Sequence, residues 1–408
     1  MMLSFQIGCE IRGELVMKSI RVGVIGVGNI GTMHADNIFH NKIEGMKLTA
    51  VCDVNTMRLA TCRERFAEVP CYSDYVSLLQ SGTIDAVVIA VPHRFHAKIA
   101  IEALESGVHV LLEKPIDVTV TEAQKLLDIA EKSDKTFAIM LNQRTNPLFQ
   151  KTYEIVHNGL LGELKRSVWI ITNWYRSQHY YDSGSWRATW NGEGGGVLLN
   201  QAPHNLDLWQ WICGMPETVR AFCNTGKYHN IEVEDEATIY AKYKNGAIGL
   251  FITTTGEYPG TNRLEISGDK GKIVLENGML KWWKLNNPER EVCFNSAESA
   301  PVIACEYQEI VSSDEGTGHN GILQNFANAI LHGEKLLSPG EDGIYELTIS
   351  NAAYLSEWTG NSEIRLPFCS EQFDILLEER RAHGDKVKIE KEPVSDESDG
   401  LPRWQVRW

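Results

Sequence analysis

The sequence predicts an α/β amino-terminal unit, a doubly wound parallel sheet of the dinucleotide-binding (Rossmann) type, followed by an α+β unit with an open-faced, mainly antiparallel sheet. Three observations carry this. The run IRVGVIG at 20–26 is nearly all apolar, leads into a turn spaced Gly26-x-Gly28-x-x-Gly31, and is followed by helical character over 29–39. Apolar runs at 47–52, 85–91, 108–112 and 136–141 then alternate with three-and-four spacing at 55–66, 73–79, 96–106 and 121–131. That is the pattern of parallel strands covered by helices on both faces. After a helix near 146–158, residues alternate apolar and polar at 164–174, 218–224, 237–244, 247–255, 263–268, 271–276 and 280–284. Asn-Gly and Gly-containing turns separate these runs, as expected of antiparallel strands with one solvated or partner-covered face.

One helix, about 196–212, interrupts the second pattern, and helices return at 321–332, 342–357 and 371–383. The expected division is an extension at 1–17, a nucleotide-binding domain at 18–145, a substrate and oligomerisation domain at 146–370, and a carboxyl-terminal helix with charged tail at 371–408. Met17 leading into the first strand looks like the more natural start, and Trp404 and Trp408 are unusual in a tail otherwise poor in apolar residues.

The glycine turn has a physical reading. Gly26 permits the tight turn, Gly28 leaves room for a pyrophosphate, and Gly31 lets the helix pack closely on the strand. The pyrophosphate would rest on free N–H groups at the helix start, around Asn29 and Ile30. Asp53 ends the second strand about 20 residues further on, where a carboxylate reaches the ribose 2′-hydroxyl and repels a 2′-phosphate, so the expected cofactor is NAD.

With 408 residues the chain can bury two cores. A net charge of −15 argues against a nucleic-acid partner, and no run has the length of a membrane-spanning helix. Nine cysteines without a C-x-x-C read as reduced, buried thiols, and the expected location is the cytoplasm.

In a parallel sheet, ligands bind beyond the carboxyl ends of the strands. The expected cofactor contacts there are Val91, Pro92, His96, Glu113, Lys114 and Asn142, with Arg187 from the second domain. A lysine at such an end can stabilise a substrate oxyanion, with Glu113 offsetting its charge and Pro115 fixing the turn through a cis bond. In GEGGGVLLNQAPHNLD, Asn200 and His204 are four apart and share a face if the segment is helical, and Asp207 could orient His204 from behind. His204 is the expected general base. The aromatic and arginine-rich stretch 173–190 suits a polyol, and the expected substrate contacts are Arg144, Tyr175, Tyr180, Asn200, His204 and His319. No metal is expected, because His93-x-x-His96 has no second ligand cluster.

Together GVIGVGNIG with His34, Asp53, AVPHRFH ending at His96, EKP at 113–115, NQRTNP at 142–147 and GGGVLLNQAPHNLD resemble the glucose-fructose oxidoreductase, inositol dehydrogenase and MocA family over residues 18–370. The resemblance implies an NAD-dependent dehydrogenase of sugars or polyols, a homo-oligomer built through the open sheet, and Lys114 and His204 at the reacting carbon. It departs at Asn200, where many members have aspartate, and an amide cannot stabilise the charges of Lys114 and a protonated His204. The segments WYRSQ, YYDSG, SWRATW and NQAPH look similar to the branch containing glucoside 3-dehydrogenases that begin deglycosylation of plant C-glycosides. The alternatives are a redox-neutral, NAD-retaining glycoside-cleaving enzyme and a non-catalytic NAD sensor, the latter disfavoured by the presence of both Lys114 and His204.

Overall fold

The structure is a computed structural model that describes residues 19–184 and 186–384, so the extension before residue 19 and the tail with Trp404 and Trp408 lie outside the described residues. The first sheet contains β1 (Ile20–Ile25), β2 (Met46–Cys52), β3 (Cys71–Tyr72), β4 (Ala86–Ile89), β5 (His109–Leu112) and β6 (Phe137–Ile139), in the order β3-β2-β1-β4-β5-β6. Every pairing in it is parallel. Order reverses between β1 and β4, which opens a crevice beyond Ile25 and Ile89. Crossovers are made by α1 (Asn29–Phe39), α2 (Thr56–Arg65), α3 (Tyr75–Gln80), α4 (His96–Glu105) and α5 (Val120–Ala130). Polar side chains start several of these helices: Asn55 accepts from the N–H groups of Met57 and Arg58, Asp74 from Ser77, and Thr119 from Glu122.

After α6 (Pro147–His157) and the short α7 (Gln178–Asp182) the second sheet is threaded by α8 (Pro203–Cys213). It comprises β7 (Leu164–Ile171), β8 (Thr218–Thr225), β9 (Glu234–Lys242), β10 (Ile248–Thr254), β11 (Asn262–Gly268), β12 (Gly271–Glu276), β13 (Met279–Leu285), β14 (Cys305–Val311) and β15 (Ile364–Arg365). A short α9 (Glu289–Asn295) precedes β14, and α10 (Gly318–His332), α11 (Gly343–Trp358) and α12 (Ser370–His383) complete the described chain. The sheet is antiparallel except where β7 and β10 run parallel.

The nucleotide-binding unit and the second unit share an apolar interior. Ile25, Leu112, Val118 and Ile139 from the first join Val197, Trp209, Phe251 and Leu347 from the second in one buried cluster. On the other face of the first sheet, Ile322, Leu323 and Phe326 of α10 pack against Ile20, Val22 and Val24, so the late chain returns to cover the early strands. No helix among the described residues is long and apolar enough to cross a membrane. The eight described cysteines are all unpaired, but Cys293, Cys305 and Cys369 are exposed rather than buried, because their segments lie at the solvated edge of the fold.

The expected helix over 196–212 is shorter than the spacing suggests: it begins only at Pro203 and runs 11 residues, to Cys213. The reason lies in Glu234, whose carboxylate takes the N–H groups of Gly196 and Leu198. The three glycines upstream make close approaches that forbid a side chain. Gly194 has φ of 84°, and a Cβ on Gly196 would lie 1.9 Å from the Glu234 carbonyl oxygen.

Candidate active site

The glycine turn and Asp53 form one hydrogen-bonded unit. A Cβ on Gly26 would meet the Ala90 carbonyl oxygen at 2.3 Å, and one on Gly31 would meet the Gly26 oxygen at 1.8 Å, so both glycines serve backbone packing. Gly28 differs: its nearest neighbour in that direction is the Arg58 guanidinium at 3.9 Å, and it caps α1 without any side-chain hydrogen bond. Asp53, buried at the end of β2, accepts from the Val27 N–H at 2.9 Å and the Asn55 N–H at 2.8 Å, with Arg58 at 3.4 Å. An open approach at Gly28, unsatisfied N–H groups at a helix start and an adjacent carboxylate fit the pyrophosphate and ribose of NAD. Beyond β4, His96 places its ring nitrogens 2.7 Å from the Pro115 oxygen and 2.8 Å from the Val91 oxygen. It therefore braces two strand-end loops, leaving neither nitrogen for the cofactor contact expected of it. Burial pushes its pKa down, although both carbonyls favour the protonated ring.

Lys114 follows β5, and its bond to Pro115 is cis, as expected. Its Nζ donates to the Asn200 backbone oxygen at 2.8 Å, which bridges the two sheets' loops. Burial lowers the Lys114 pKa, opposed by Glu113, Glu346 and Glu193. Glu113 is paired with His34 of α1 at 2.8 Å. Burial alone would raise its carboxyl, but the His34 contact and the nearby His319 and Lys114 outweigh that and hold it at about 2.

Asn200 and His204 do not share a helix face, since Asn200 lies in the turns before α8. The Asn200 amide donates instead to Glu193 and, at 3.3 Å, to the Tyr180 hydroxyl. That hydroxyl also accepts from Arg187 at 2.8 Å and Gln201 at 3.2 Å. His204 opens α8 and is neutral, because burial and then Lys114 and His319 push its pKa well below the usual value. Its Nδ1 has no partner among the described residues, so Asp207 does not orient it. Asp207 is engaged by Arg144 at 2.6 and 2.9 Å, and Arg144 also reaches Asp342 at 2.5 Å. At 1% exposure Arg144 is a buried cross-brace and is corrected from the substrate contact its position suggested.

His319, at the start of α10, faces the His34 ring at 5.6 Å and Asn142 at 3.5 Å, and burial lowers its pKa to about 4. Tyr175 is half exposed and packs on Tyr258 at 5.7 Å, further out. Two buried carboxyls in this region escaped the sequence reading. Glu193 accepts from the Ala188 N–H at 2.7 Å, and burial raises it to about 7. Glu346 of α11 has neither oxygen partnered among the described residues, and burial raises it well above the usual range. Only the placement of Glu193 within a glycine-rich run could have signalled it. Among the described residues no His, Cys, Asp or Glu cluster could hold a metal ion.

Residues 20–141 match the model of the oxidoreductase family with an NAD-binding Rossmann fold, and residues 149–274 match the GFO/IDH/MocA C-terminal domain model. A myo-inositol 2-dehydrogenase of Thermotoga maritima is 28% identical over 264 residues, spanning 63% of this chain and 75% of that protein. An alpha-N-acetylgalactosaminidase of Shewanella oneidensis is 31% identical over 276 residues, 64% of this chain and 56% of that protein. Among solved structures, the WlbA dehydrogenase from Bordetella pertussis, in complex with NADH and UDP-GlcNAcA, superposes with a TM-score of 0.72 at 25% identity. That match covers 86% of this chain and 100% of the other. A levoglucosan dehydrogenase at 21% identity and a TM-score of 0.69 shows the same fold. Fold, glycine turn and matches together define an NAD-binding oxidoreductase. More particularly, the chain belongs to the glucose-fructose oxidoreductase, inositol dehydrogenase and MocA family.

Proposed function

We propose that this chain oxidises, reversibly, a secondary hydroxyl of a sugar, glycoside or inositol to a ketone, with C3 of a glucoside as the narrower candidate. The supporting observation is that Lys114, at a strand end of the nucleotide-binding sheet, is bonded to Asn200 of the loop that leads into His204. Bound NAD supplies the hydride acceptor. His204, neutral in its buried setting, takes the hydroxyl proton, and the Lys114 ammonium holds the oxygen as negative charge develops. Tyr180 and Arg187 line the approach, with Tyr175 further out. The division at 145/146 assigns the cofactor to the first unit and the substrate to the second. A second copy of the chain would cover the open sheet face, where Val168, Ile170, Leu250 and Ile252 lie side by side and Phe222 is half exposed. Equilibrium sedimentation reads that directly.

Screening inositols, free hexoses and aryl glucosides for NADH formation tests the activity. Lys114→Ala abolishes turnover with NADH binding largely intact, and turnover within a few-fold of the parent overturns its role. The kinship to an alpha-N-acetylgalactosaminidase favours one second reading, redox-neutral cleavage of a glycosidic bond. Bond cleavage with no net NADH selects it, whereas NADH accumulating with a ketosugar selects the dehydrogenase.

A further inference from the structure

We propose that Glu193 is a positioning residue of this site, whose carboxylate fixes Asn200 and so sets the place and charge of Lys114. The assignment rests on the oxidoreductase reading above only for the name of the reaction. Its geometry stands alone. Residues 189–202 run as turns without regular secondary structure, so polar anchors must hold them. Glu193 supplies three. One carboxylate oxygen accepts from the Ala188 N–H at 2.7 Å, the other accepts from the Asn200 amide, and its backbone oxygen lies 3.0 Å from His93 Nδ1 beyond β4. The Asn200 backbone oxygen, held through that amide, receives the Lys114 ammonium at 2.8 Å.

Glu193 is 1% exposed. A buried carboxylate is costly unless cations and donors compensate it. Burial raises its pKa to about 7 against the cations Arg187 and Lys114 and the donors Ala188 N–H and Asn200 amide, so its charge is complete only above that pH. A glutamine would keep the shape and most of the hydrogen bonding but none of the charge. Lys114 is faced by Glu113 from its own strand end, Glu346 from α11, and Glu193 and Arg187 from the loop; His204 of α8 and His319 of α10 are also within its field. Glu113 is already bonded to His34, and Glu346 has no donor of its own. Glu113 accepts the Lys114 backbone N–H at 3.2 Å, whereas Glu193 is tied to the Lys114 ammonium through the Asn200 amide and backbone oxygen.

The test follows Lys114 itself, by acylation across pH and peptide mass spectrometry of the folded full chain. Loss of a nearby anion disfavours the ammonium, so Glu193→Gln lowers the labelling midpoint by about one pH unit. The exchanged pair, Glu193→Gln with Asn200→Asp, keeps an amide-to-carboxylate bond and returns the charge, so the midpoint recovers. A midpoint unmoved in folded Glu193→Gln, or displaced by a unit or more in the exchanged pair, overturns the assignment. The exchanged pair decides alone if the single variant does not fold. Labelling needs no substrate, so this failure is distinguishable from failure of the dehydrogenase reading. With a turned-over substrate, Glu193→Gln lowers kcat about tenfold and leaves the dissociation constant for NADH unchanged, and the exchanged pair regains part of kcat.

Discussion

Replacing Arg144 with methionine should cost stability and leave substrate recognition alone. The Arg144 side chain is 1% exposed and its guanidinium makes a two-pronged bond to Asp207, at 2.9 Å from Nε and 2.6 Å from a terminal nitrogen. The other terminal nitrogen reaches Asp342 at 2.5 Å and the Leu337 oxygen at 3.3 Å. Methionine fills much of the same volume, so the loss is electrostatic. It leaves Asp207 buried with the Gln210 amide at 3.1 Å as its remaining side-chain donor. Breaking a buried pair from one side costs about 3–5 kcal/mol. Burial already raises the Asp207 pKa against the pull of Arg144, and without Arg144 it rises further. A raised folded-state pKa means the unfolded chain loses its proton first, so stability declines as pH climbs above the ordinary carboxylate range. The deficit is therefore larger at about pH 8 than at about pH 5. Urea unfolding followed by tryptophan fluorescence at both pH values reads it. A variant within about 1 kcal/mol of the parent, with a tenfold higher KM for the substrate, would refute the brace and return Arg144 to the substrate.

Two further outcomes follow from the same geometry. Asp53→Ala removes the acceptor of the Val27 and Asn55 N–H groups and frees Arg58. NADH binding weakens about tenfold or more, and the preference over NADPH narrows; fluorescence titration with both nucleotides showing no change would contradict this. Glu346→Gln removes a buried carboxyl whose pKa is raised by burial and by Asp207. The parent loses stability as pH rises from the unfolded carboxylate value, by up to about 1.4 kcal/mol per pH unit while the buried group stays protonated. The variant's melting temperature should accordingly gain on the parent between about pH 5 and pH 8, and a pH-independent difference would show that Glu346 titrates normally.

What could be read from the sequence was what is local. The parallel strands announce themselves by unbroken apolar runs, and the glycine turn by its spacing, because each depends on residues a few positions apart. The failures are long-range. The segment through Asn200 has helical spacing, yet Glu234 diverts its N–H groups. The strand β14 reads CEYQEIV and is exposed along almost its whole length, so no alternation marks it. The parallel pairing of β7 with β10 brings together runs that turn signals would have placed in hairpins. Asp207 stands three positions from His204 but is claimed by Arg144 from another helix turn, a partner no spacing rule could supply.

The distinction between a brace and a reaction site then becomes a question of satisfied partners. Around Arg144 the network is closed: Asp207, Asp342 and the Leu337 oxygen absorb its donors. Around Lys114 it is open. His204 Nδ1, His34 Nδ1, Asn142 Oδ1 and both oxygens of Glu346 are buried without a partner among the described residues. Buried polar atoms are nearly always paired in a finished interior, and the unpartnered His204 and Glu346, both within the field of Lys114, support the proposed site there. Both networks are equally polar in the sequence. The second keeps buried polar atoms without a partner among the described residues, and Lys114 lies at a strand end where the nucleotide-binding sheet opens.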